Sequence, residues 1–264
     1  MIAVLSPAKT LDETTPVPPV TATEPRFIDE AAKIAATAAR LTPKKLQKLM
    51  HISAGLAELN ADRFKAFELP FTPENARPAL YMFDGDVYAG LAGPTLDKPG
   101  VAFAQAHVRI LSGLYGLLRP LDLVQPYRLE MGVSIKVGTR KDLYAVWGKR
   151  VAAALAEELA DHEDRTLINL ASKEYFGAVD VTALPGDVIA IDFRDDRDGE
   201  LRFNTFVAKE ARGAMARYMV DERLDRPEGL KGFSGYGYEY RADHSDAERW
   251  AFVRKAGPKR RPAS

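Results

Sequence analysis

The stretch at residues 109–132, RILSGLYGLLRPLDLVQPYRLEMG, limits what this chain can fold into more than any other. Ile110, Leu111, Leu114, Leu117, Leu118, Leu121, Leu123 and Val124 require burial, yet Arg109, Arg119, Asp122, Arg128 and Glu130 stand among them. Charge carried into a core must be paired or put to use, because an isolated ion there is strongly disfavoured. Gly113 and Gly116 let the backbone bend or approach a neighbour closely, and Pro120 and Pro126 hold the residues before them toward extended geometry. The expected product is a winding, inflexible segment that presents polar groups from a buried base.

A core able to take up that segment is available, since the chain has 264 residues and 46% hydrophobic content. A buried strand is expected over residues 1–5, ending in the polar loop Ser6-Pro7-Ala8-Lys9-Thr10. Residues 29–41 place Ile34, Ala38 and Leu41 on one helical face. Thr42-Pro43 joins a good N-cap to a favoured first helical residue. In the helix that follows, Leu46, Leu49 and Met50 form the buried stripe, and Lys44, Lys45 and Lys48 point outward. A break at His51-Ile52 leads to Ser53 as the next cap, so residues 43–67 read as helix, tight hairpin, helix. Such a unit with a basic flank is one way to grip a phosphate backbone.

Further along, a strand is expected over residues 79–83, followed by the turn Asp84-Gly85-Asp86. Phe103, His107 and Ile110 share a helical face that leads into the central stretch. Asp142 caps a helix in which Leu143, Trp147, Val151, Leu155 and Leu159 recur at helical spacing, and residues 166–170 read as a strand with Ser172 capping the next helix. Residues 188–193 and 201–207 read as paired strands about Asp198-Gly199. The helix expected from Ala208 projects Lys209 and Arg212 together, at about 100° per residue. An extended segment at 233–240 puts three tyrosines on one side and pairs with residues 250–253. Helices and strands alternate, but the hairpin excludes a purely parallel sheet. The expected fold class is therefore mixed α/β (α+β), one compact domain over residues 1–257 with a mixed sheet and surrounding helices. The basic tail at 258–264 is expected to stay disordered.

Lys+Arg and Asp+Glu both number 37, so no global field draws the chain to nucleic acid or membrane, and any such binding needs a local patch. Without cysteine there is no disulfide, thiolate metal site or thiol redox chemistry, which points to the cytoplasm. No apolar run approaches the roughly 18 residues of a membrane span. None of the four histidines has a glutamate three residues before it, as ferritin-like metal sites need. No metal site or cofactor is expected. There is no Gly-x-Ser-x-Gly elbow and no dinucleotide fingerprint, so no catalytic motif announces itself. What remains is a set of polar groups at strand ends and turns: Lys9, Arg109, Arg119, Tyr127, Arg128, Glu130, Lys173, Glu174, Lys209 and Arg212. If they converge, they form a cationic cleft or pocket suited to an anion such as a phosphate; if not, they are salt bridges stitching loops over the core.

The chain resembles the YaaA peroxide-stress family in Ser6-Pro-Ala-Lys-Thr-Leu-Asp12, Leu41-Thr-Pro, Phe71-Thr-Pro-Glu-Asn-Ala76, Gly85-Asp-Val-Tyr88, Leu111-Ser-Gly-Leu-Tyr-Gly116, Arg119-Pro-Leu-Asp122, Gln125-Pro-Tyr-Arg-Leu-Glu-Met-Gly132, Asn169-Leu-Ala-Ser172 and Lys209-Glu-Ala-Arg-Gly213. These segments run almost from end to end. The resemblance implies a cytoplasmic protein of the hydrogen peroxide response that helps limit free intracellular iron and oxidative damage. It also implies an unusual mixed α/β fold compared to a cantaloupe, and binding of double-stranded or structured DNA through a basic cleft and a helix-hairpin-helix element. On this chain the element falls at about residues 43–60, with Lys44, Lys45, Lys48, His51 and Ser53 as the nucleic-acid contacts and Ile52 as the hairpin's apolar anchor. A Gly-apolar-Gly hairpin is usual for the motif; here His51 and Ser53 flank the anchor. The alternative is an enzyme or small-anion or nucleotide binder with a pocket around Lys9, Arg119, Arg128 and Arg212. A monomer is expected.

Overall fold

The computed structural model describes residues 1–255; the basic tail expected at 258–264 lies outside them. Apolar residues too continuous to alternate make the central strands, and they form the parallel core of a larger mixed sheet. In spatial order the parallel strands are Val108–Ser112, Ile2–Leu5, Leu167–Asn169, Val188–Arg197 and Arg249–Lys255. Gly116–Leu118 closes one edge antiparallel to Val108–Ser112, and Glu239–Tyr240 closes the other against Arg249–Lys255. Glu200–Arg202 folds back antiparallel on the end of Val188–Arg197. The mixed α/β architecture expected from the sequence is the one observed.

The strand order carries a consequence for function. From Ile2–Leu5 the chain moves to a neighbour on one side, Val108–Ser112, and only later returns to place Leu167–Asn169 on the other. A reversal of this kind leaves a crevice beyond the carboxyl ends of the strands, which is where open α/β sheets hold ligands. Here the loops facing that crevice begin at Ser6 and Leu170.

Local chemistry sets the helices that surround the sheet. The Thr42 hydroxyl accepts from Lys45 N at 3.3 Å and Pro43 opens the helix Pro43–Met50. That helix stops at His51 in the left-handed conformation (φ 52°), and Ser53 caps Ala54–Lys65 by accepting from Leu56 N at 3.4 Å. Asp142 caps the long helix Leu143–Ala160 through Ala145 N at 2.8 Å. The helix Thr205–Asp221 crosses the short helix Asp86–Leu91 backbone to backbone. A Cβ on Gly213 would lie 1.7 Å from the Val87 carbonyl oxygen, and one on Gly90 would lie 2.1 Å from that of Glu210. Only glycine permits that approach.

Three expectations from the sequence are corrected. Residues 79–83 are not one strand: Ala79–Met82 is a helical turn and Phe83–Asp84 a short strand. Residues 201–207 divide between the strand Glu200–Arg202 and the start of the helix Thr205–Asp221, while the first arm of the hairpin runs on to Arg197. Residues 233–240 do not align three tyrosines, because a turn at Gly235–Gly237 with Tyr236 at φ 58° leaves Tyr236 exposed and Tyr238 fully buried. The pairing of Glu239 with Val253 and Tyr240 with Phe252 is as expected.

Candidate site beside the helical hairpin

The crevice at the carboxyl ends of the central strands is bound together by polar contacts from both of its loops. Ser172 N donates to Ser6 Oγ at 2.9 Å, and the Tyr88 hydroxyl donates to the Ser6 carbonyl at 3.1 Å. Lys9, on the loop after the first strand, reaches Glu130 Oε1 at 3.0 Å, and Arg128 donates to the same oxygen at 3.1 Å. From the other loop Glu174 accepts the Gly132 amide at 2.9 Å through its own Oε1. Among the described residues no hydrogen bond reaches the second oxygen of either glutamate. Each carboxylate is thus oriented through one oxygen and leaves the other open.

Beneath these charges lie buried tyrosines. Tyr127 shares a hydrogen bond of 2.6 Å with Ser112 Oγ, which itself accepts the Leu114 and Tyr115 amides. Burial raises the Tyr127, Tyr88 and Tyr175 hydroxyl pKa values well above that of a free phenol. The three stay neutral and act as hydrogen-bonding groups, not as bases. Arg128 Nε is buried without a partner.

The two glutamates also line an open groove of about 710 Å³. Its opposite wall is the helix Pro43–Met50 with Lys45, Lys48, Leu49 and Met50, continued by His51, and Val133 and Ser134 complete its floor. Residues expected at the DNA contact (Lys45, Lys48, His51) and residues expected in the polar pocket (Glu130) therefore share one concavity. Lys44 and Ser53 are exposed on the same hairpin outside the groove. Lys173 is exposed at the first position of the short helix Lys173–Phe176.

Two members of the expected cationic pocket, Arg109 and Arg119, are elsewhere. Arg109, 5% exposed, pairs with Glu158 at 2.5 Å and donates to the Gln105 and Val108 carbonyls. Arg119 binds buried Asp122 through its amide at 2.8 Å and its Nε at 3.1 Å. Together with Arg26 they enclose a separate cavity of about 210 Å³. Lys209 pairs loosely with Asp86 at 3.8 Å. Arg212 faces the charge of Asp192 on the strand Val188–Arg197; burial pulls its pKa down and Asp192 works against that. Of the residues expected around one pocket, Lys9, Arg109, Arg119, Arg128, Lys209 and Arg212, Arg109 and Arg119 are accordingly set apart from Lys9 and Arg128. The division has a physical reason: the buried arginines of the central stretch had to find carboxylates, and those came from different elements.

Leu41, Leu49, Met50 and Ser134 escaped notice as site residues because apolar or small side chains read as core or loop. Glu174 was visible among the polar groups after residue 169, but its tie to Gly132 was not.

Comparison with known proteins gives two findings. The model of a family described as "Peroxide stress protein YaaA" matches residues 1–244. A protein of Rhizorhabdus wittichii called "UPF0246 protein" is 52% identical over 255 residues, covering 96% of this chain and 99% of that protein.

Proposed function

The chain belongs to the peroxide stress protein YaaA family, and from that premise we propose that it serves the hydrogen peroxide response in the cytoplasm by binding double-stranded or structured DNA through its helical hairpin. Lys44, Lys45 and Lys48 carry this reading. All three are exposed, and none has an ion-pair partner among the described residues. A surface cation without a carboxylate beside it is free to neutralise a phosphate. Next to them the amides of Ala54 and Gly55, at the start of a helix of 12 residues, have no acceptor among the described residues. Such amides, with the positive end of the helix dipole behind them, suit phosphate oxygens. Ile52 is buried beneath the turn and fixes its position, in the role of a hairpin anchor.

Limitation of free iron is proposed as a consequence of this binding and not of chelation: among the described residues no three carboxylate or histidine side chains gather at one point. The test is duplex binding by fluorescence anisotropy with Lys44, Lys45 and Lys48 each changed to Glu. Each change places a negative charge against phosphate and is expected to weaken binding about tenfold or more. Affinity unmoved by all three would remove the hairpin from the interface.

A further inference from the structure

The groove joins two of the hairpin's lysines to carboxylates and apolar side chains that the hairpin's phosphate contacts do not use. One wall carries Lys45 and Lys48, while Glu130 and Glu174 enter from the other with one open oxygen each. A carboxylate oxygen only accepts, and it repels phosphate. A ligand that fills the groove must therefore carry an anion toward the lysines and hydrogen-bond donors toward the glutamates. Between the two, Leu49, Met50 and Val133 offer an apolar surface suited to a flat ring. The volume of about 710 Å³ is in the range of small-molecule sites.

The position supports the same conclusion. Glu130 is held by Lys9 of the loop after one central strand, and Glu174 belongs to the loop and helix after the next, so the groove opens at the reversal of strand order. The carboxylates are fixed before any ligand arrives: one by a lysine and an arginine, the other by a backbone amide. Such fixing lowers the cost of ordering a site on binding.

We infer that this groove is a binding site for a free mononucleotide, its base lying against Leu49, Met50 and Val133 with N–H groups directed to Glu130 and Glu174, and its phosphate at Lys45 and Lys48. The site shares Lys45 and Lys48 with the proposed DNA interface, whereas Lys44 and the hairpin amides lie outside it. Isothermal titration of the full chain with each of the four common ribonucleoside 5′-monophosphates, and with inorganic phosphate, tests it. At least one monophosphate should bind, and inorganic phosphate should bind about tenfold more weakly or worse, since it lacks the base contacts. Glu174→Gln should weaken that binding about tenfold, the loss of one base contact to a charged acceptor. Leu49→Trp, which fills the groove from the hairpin side, should abolish it, and a thermal melt of each variant confirms that the fold persists. Lys44→Glu should leave it in place while weakening DNA binding, so failure of one reading is separable from failure of the other. The inference is overturned if no monophosphate binds, if inorganic phosphate binds equally well, or if folded Glu174→Gln and Leu49→Trp proteins bind the nucleotide as the parent does.

Discussion

Ser172 donates its backbone N–H to Ser6 Oγ at 2.9 Å, joining the two loops that leave the strands on either side of the reversal in strand order. The contact spans 166 residues of sequence and sets the mouth of the crevice from which Lys9 and Glu174 act. Removing the hydroxyl leaves a partly buried amide unpaired. Ser6→Ala is expected to lower stability by about 1–3 kcal/mol, read as a lower urea midpoint with an unchanged denaturant slope.

Gly213 marks a contact with no room for a side chain. Its missing Cβ would stand 1.7 Å from the Val87 carbonyl oxygen, which belongs to backbone and cannot rotate away. Gly213→Ala should force the helix Thr205–Asp221 off the helix Asp86–Leu91, costing roughly 3 kcal/mol or preventing folding. A calorimetric melt should show a shift of several degrees, and an unchanged melting temperature would mean that the two helices can separate freely.

Arg109 tests whether the central stretch is structural at its first charge. Its guanidinium is buried against Glu158, so Arg109→Ala leaves that carboxylate only its 4.0 Å contact with Arg26 and should destabilise by about 3 kcal/mol. Chemical denaturation measures this directly. Arg109→Met, which keeps the volume without the charge, should be no more stable than Arg109→Ala if the lost charge dominates.

Stability should also fall in mild acid. His162 packs edge-on against His107, ring centroids 4.7 Å apart, and the His107 Nδ1 meets the Met1 carbonyl at 2.9 Å. Burial above all, with the N-terminal ammonium and His107 adding to it, lowers the His162 pKa from 6.5 to about 4. The folded protein therefore holds fewer protons than the unfolded chain between those values. Stability is fully present above about pH 6.5 and is lost as pH falls toward 4. Urea midpoints at pH 7 and pH 5 should differ for the parent chain and differ less for His162→Gln.

Much of the fold could be read from the sequence where one face of an element is polar. Helices opened by Thr42, Ser53 and Asp142 lie where their caps put them, because each cap supplies a local hydrogen bond. Ala79–Met82 was misread as strand because all four residues are buried, leaving no polar face to reveal the period. The helix expected from Ala208 starts at Thr205, behind Asn204, which gives its side chain to Asp195 at 3.1 Å and does not cap it.

The candidate site was legible only as a list of residue types. That Arg109 must be paired follows from its apolar neighbours, but Glu158 is supplied by a helix 49 residues further on, and no spacing rule reaches that far. The same distance problem hid the meeting of the hairpin with Glu130 and Glu174. Each set was recognisable alone; their shared groove is a product of tertiary packing.

The central claim is that Lys44, Lys45 and Lys48 neutralise DNA phosphates, and the salt dependence of duplex binding tests it most directly. For B-form DNA the logarithm of affinity falls against the logarithm of salt concentration with a slope of about −0.9 per neutralised phosphate. With all three lysines changed to Gln, the slope should become shallower by about 3 units relative to the parent chain. A triple variant whose slope equals the parent's would contradict the account, because DNA would then be held by some other surface of the protein.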